Sequence, residues 1–85
     1  MTPSDDRIAD EITAQVIDRG AGKTICPSEV ARALGADWRA LMPQVRRVAG
    51  DLAKEGRIAV TQKGETVDAE TARGPIRLGL AQETD

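Results

Sequence analysis

The chain has 85 residues, a formal net charge of −2, one cysteine (Cys26), one aromatic residue (Trp38) and no histidine. That length makes one small domain with a modest core. The missing histidines exclude imidazole-ligated zinc and histidine acid–base catalysis, and a lone cysteine excludes an internal disulfide and a cysteine-only metal site.

No apolar run approaches the roughly 20 residues of a membrane span and no signal peptide opens the chain, so a cytoplasmic protein of a reducing compartment is expected. Residues 1–36 carry four basic and six acidic side chains, and residues 37–80 carry eight basic and six acidic. Bulk positive charge is therefore absent, while the cations concentrate in the second half.

Ile8, Ile12 and Val16 repeat at helical spacing, which predicts a first helix over about Asp5–Asp18. Ser4 suits its N-cap, Asp5 and Asp6 complement the helix dipole, and Gly20 suits the C-terminal stop. Ile17 falls off the apolar stripe. Lys23–Cys26 is long enough only for a single edge pairing. Pro27 fits the first position of a second helix, and Glu29 fits the third, where it can reach back to the amide of the cap residue. This helix carries Val30, Ala31 and Leu34 and stops at Gly35. At about eight residues it must be held by packing. Cys26 is expected to be a small, buried, inert residue rather than a reactive thiol.

Gly35-Ala36-Asp37 is a tight link into the third helix, with the spacing of a helix–turn–helix. In that helix Trp38, Leu41, Met42, Val45, Val48, Ala49 and Leu52 share one arc, the core-facing stripe. Arg39, Pro43, Arg46, Arg47, Gly50, Lys54 and Arg57 share a second arc on which every charge is positive. Trp38 is expected at the centre of the packing, buried against the second helix and the hairpin. Gly50 is expected to let a phosphate or groove wall come close, and Gly56 to end the helix. Ile58 and Val60 then alternate as a half-buried strand. Lys63-Gly64 supplies a turn, and Thr66-Val67 pairs back briefly. Asp68–Pro75 is a loop whose only apolar content is alanine. Ile76, Leu78 and Leu80 form the closing strand of an antiparallel pair.

The order is that of an α+β winged helix-turn-helix, three helices followed by a β-hairpin wing, over residues 5–80 with 1–4 and 81–85 as flexible ends. The segments KTICPSEVARALG, WRALMPQVRRVAGDLAKEGRIAVTQKG and GPIRL resemble a bacterial family of short winged-helix proteins that is a domain of unknown function. The similarity covers roughly residues 7–80 and is most specific at Cys26–Ala31, at Trp38-Arg39 with Leu41-Met42, and at Gly74–Ile76. It implies the fold and no activity.

Winged helices serve as DNA readers and as interaction modules, so two functions stand. In the first, the chain binds duplex DNA. The third helix, with Arg39, Gln44, Arg46, Arg47 and Lys54, lies in the major groove, and the hairpin, with Lys63, Arg73 and Arg77, touches the backbone or minor groove. On this reading Arg46 and Arg47 can be replaced without harm to the fold, and replacing Arg7 and Arg32 changes binding little. In the second, the domain is a protein-interaction module whose basic face takes an acidic partner. Single-strand binding is disfavoured because it needs aromatic platforms. No enzyme, metal or cofactor is expected, since there are no paired carboxylates on one face and no phosphate-cradling glycine loop.

Overall fold

The structure, a computed structural model, describes residues 2–81; Met1 and residues 82–85, expected as parts of the flexible ends, lie outside the described residues. Seven elements follow in order: α1 (Asp5–Arg19), β1 (Thr24–Ile25), α2 (Pro27–Leu34), α3 (Trp38–Lys54), β2 (Ile58–Gln62), β3 (Glu65–Thr66) and β4 (Arg77–Leu80). With β1 set between the first two, three helices lead into β2–β4, and the four strands form one antiparallel sheet, an α+β arrangement consistent with a winged helix. Among the described residues, no helix is long and apolar enough to cross a membrane.

The caps follow from local chemistry. The Ser4 side chain accepts the Arg7 amide at 3.1 Å and opens α1, so a hydroxyl satisfies one of the orphan donors there. The Cys26 amide donates to the Glu29 carboxylate at 2.7 Å and opens α2. At the end of α3, Gly56 takes φ of 74°. Its amide donates to the Ala53 carbonyl at 3.0 Å, and the Arg57 amide to the Leu52 carbonyl, also at 3.0 Å. This paired closure needs a left-handed residue, which glycine supplies without steric cost.

The sheet order is β1-β4-β2-β3, so β4 is paired on both sides. It sets Leu78 opposite Ile25 and Val60, and Gly79 opposite Thr24 and Ala59. A Cβ at Gly79 would stand 3.2 Å from the Lys23 carbonyl oxygen and 3.3 Å from Thr24 Cγ2. Glycine there lets β1 approach. β2 and β3 join through Lys63-Gly64, both with positive φ (54° and 84°), the tight hairpin turn whose twist matches that of the strands.

The core is aliphatic. Ile8, Ile12, Val16, Ile25, Val30, Val45, Val60, Ile76 and Leu78 are the largest fully buried side chains. The apolar stripe of α3 is buried unevenly: Val45, Val48, Ala49 and Leu52 are inside, whereas Trp38, Leu41 and Met42 are only partly covered. This corrects the expectation of a central tryptophan. Trp38 is the first residue of α3, with no preceding turn of its own helix to enclose it, so it packs on the rim of the core. Cys26 is half-buried rather than buried, and its Sγ accepts the Ser28 hydroxyl at 3.2 Å. Ile17, which the periodicity alone leaves unplaced, is 62 % exposed.

Candidate functional site

The basic arc of α3 is flanked on both sides by other parts of the chain. On one side lies the start of α1. Arg47 meets the Asp5 carboxylate with both terminal nitrogens, at 2.7 and 3.0 Å, and Asp51 stands 3.9 Å away. Gln44 donates to the Pro3 carbonyl at 3.0 Å and to the Asp5 carboxylate at 2.9 Å. The hydrogen bonds from Arg47 and Gln44 hold the Asp5 carboxyl below its ordinary value of 3.8. Asp5, and behind it Asp51 and Glu70, push the Arg47 guanidinium up. The exposed centre of α3 is therefore charge-compensated chiefly by Asp5, a residue that its own wheel does not contain.

On the other side lies the segment between β3 and β4. Arg46 donates to three of its backbone carbonyls: Ala69 at 3.1 Å, Ala72 at 2.7 Å and Gly74 at 3.3 Å. Arg46 is thus a tether rather than a free cation, so its replacement is expected to touch the fold, whereas Arg47 makes an exposed ion pair of the kind that adds little stability. Gly50 is buried beneath the same segment. A Cβ on it would meet the Ala69 Cβ and the Glu70 Cγ, each at 3.7 Å. The close approach that Gly50 permits is therefore taken by this chain's own loop, not left open to a phosphate.

The remaining candidates divide between two places. Arg39 lies at the start of α3 with its guanidinium carbon 4.5 Å from the Trp38 ring centroid, and Arg32 from α2 sits 4.4 Å from the same centroid. In the wing, Lys63, Arg73 and Arg77 line an open groove of about 520 Å³ with Gln62 and Pro75. Gln62 fixes its floor by donating to the carbonyls of Arg73 and Pro75. Arg77 is braced by the Thr24 hydroxyl at 2.9 Å and the Thr24 carbonyl at 3.2 Å. Three cationic side chains face this groove and no carboxylate does. Lys54 is exposed in the last turn of α3, beside the loop that covers Gly50.

A family model matches residues 5–81, with the description protein of unknown function (DUF3253). The chain belongs to that family. No curated protein matches it. Membership leaves the functional argument with the geometry. Four candidates (Gln44, Arg46, Arg47 and Arg77) bond to other parts of the chain, while Arg39, Lys54, Lys63 and Arg73 have no ion-pair partner among the described residues.

Sequence reasoning set Arg32 aside as a residue whose replacement changes binding little, and it gave no tertiary contact to Asp5 or Gln62. Only one signal pointed to Arg32: a three-residue link brings the last turn of α2 onto the first turn of α3. Nothing in the periodicity pointed to Asp5, whose role depends on where α1 crosses α3.

Proposed function

We propose that this domain binds duplex DNA, gripping the phosphate backbone with its wing and leaving the centre of α3 a minor part in contact. The observation that carries this reading is the wing groove, where Lys63, Arg73 and Arg77 converge without a carboxylate in a chain of net charge −2. Arginine suits the task because its planar fork can grip a phosphate with two parallel hydrogen bonds. Arg39 and Lys54 extend the positive surface along α3. We place this role in a bacterial cytoplasm; the family resemblance bears on the winged-helix fold and leaves the activity to the groove.

The test is a binding curve against salt. The logarithm of affinity for generic duplex falls linearly with the logarithm of salt concentration, with a slope near −0.9 per phosphate neutralised. Four or five free cations give a slope of roughly −4. The double variant Lys63→Ala/Arg73→Ala is expected to lose about 1.8 of that slope. Arg19→Ala serves as the control, since Arg19 is paired with Glu29 at 2.9 Å.

A second reading has one observation in its favour. Asp5, Asp51 and Glu70 surround Arg47, so the middle of α3 presents mixed charge, which suits a protein surface better than a polyanion. Absence of salt-dependent duplex binding by the wild type at low ionic strength decides for that reading, with an acidic protein as partner.

A further inference from the structure

We infer that Arg32, Trp38 and Arg39 form a second phosphate-contact site on the corner between α2 and α3, working with the wing groove on one duplex. The inference rests on the DNA-binding reading and gives it a second point of attachment. Among the described residues Arg7, Arg19, Arg47 and Arg57 are ion-paired. Arg46 and Arg77 place their guanidiniums on backbone carbonyls or Thr24. Arg32, Arg39 and Arg73 have no such partner. Arg73 lines the wing groove, and the other two meet at one ring.

That meeting has chemical consequences. At 4.4 Å and 4.5 Å from a single ring centroid, the two guanidinium carbons lie within about 9 Å of each other. An indole face attracts a cation through its quadrupole without neutralising it. It therefore holds two like charges within that distance of each other, where a carboxylate would have cancelled them. Both arginines are exposed and Trp38 is partly so. The guanidinium edges keep their N–H donors for an anion, and a phosphate diester matches that fork.

The corner is also placed to act with the wing. Arg39 and Arg46 are seven residues apart, so they leave α3 on nearly the same side, about 10 Å apart along the axis. Arg46 reaches the Gly74 carbonyl, and Gly74 lies between Arg73 and Pro75 of the wing groove. Arg46 thus connects the Arg39 side of α3 to the chain that borders the groove, and Arg39 lies about 80° round the helix from Arg47, which faces Asp5.

Trp38 is the only aromatic residue, so its emission reports on this corner alone. The experiment titrates the intact protein with a short mixed-sequence duplex. It follows Trp38 emission and its quenching by iodide, and measures the salt slope for wild type, Arg32→Gln/Arg39→Gln and Lys63→Ala/Arg73→Ala. Expected are a duplex-dependent change in wild-type emission, protection of Trp38 from iodide, and loss of about 1.8 of slope in the Arg32/Arg39 variant. The emission response is expected to persist in the wing variant at saturating duplex. Wild-type binding that depends on Lys63 and Arg73, with Trp38 unresponsive and the slope of Arg32→Gln/Arg39→Gln unchanged, overturns the corner and leaves the wing reading standing. Absence of duplex binding by the wild type overturns both. The wild-type emission and quenching need no substitution, so they decide the matter even if the Arg32/Arg39 variant folds poorly.

Discussion

Arg46 gives up its value as a free cation to become the fastener of a loop. Its three hydrogen bonds join the middle of α3 to carbonyls at Ala69, Ala72 and Gly74, groups that an irregular segment has few other ways to satisfy. Replacing it with Ala is expected to cost on the order of 1–3 kcal/mol, allowing for solvent that can reach the freed carbonyls. Urea denaturation measures the loss, and amide exchange across residues 68–75 is expected to rise more than elsewhere. An unchanged midpoint would mean that Ala69 and its neighbours hold the loop unaided. Asp5 offers a second test at this scale. Arg47 and Gln44 bind its charged form and depress its pKa, so the stabilisation is fully present above the ordinary value of 3.8 and is lost as pH falls through the lower folded value. Asp5→Asn is expected to flatten that part of the acid limb of a stability profile.

The same loop explains Gly50 at the scale of the element. A glycine inside a 17-residue helix is costly by roughly 1 kcal/mol relative to alanine, which made a close approach legible in the sequence. What approaches was not legible, because Ala69 looks like filler in a run of polar residues although it is 1 % exposed. The new Cβ would stand 3.7 Å from its nearest neighbours, an ordinary contact. Gly50→Ala is therefore expected to raise stability by about 0.5–1 kcal/mol, read as a higher urea midpoint. A fall would show that the loop sits closer than the distances allow. Elsewhere the sequence was informative wherever local chemistry decides. Ser4, Glu29 and Gly56 cap helices as expected because each acts on backbone within a few residues of itself. Arg46 and Arg47 do lie outside the core, as the wheel has it, but they are not free, because Asp5 and the Ala69 carbonyl arrive from 42 and 23 residues away. Trp38 failed for a related reason. A wheel assigns a side but not a position along the helix, and the core closes on the C-terminal half of α3.

For the molecule as a whole, the sheet order means that the last strand completes what the first helices begin. β4 pairs with β1 from the N-terminal half and with β2 from the C-terminal half. It brings Leu78, fully buried, just after Ile76 at 1 % exposure. Burying two such side chains is worth about 1.5–3 kcal/mol each. Without β4 the inward faces of Ile25, Ile58 and Val60 also lose their cover. The sum approaches the whole stability of a small domain, about 5–15 kcal/mol. A chain ending at Pro75 keeps all three helices of the helix-turn-helix, and by helix content alone it ought to stand. It is expected instead to show no cooperative thermal transition and much reduced helical circular dichroism, because α2 spans only eight residues and needs tertiary packing to persist. A sharp transition in that truncated chain would make the three helices an independent unit with the sheet as an accessory. Its absence makes the wing part of the core, so the groove at Lys63, Arg73 and Arg77 stands on the same cooperative structure as α3.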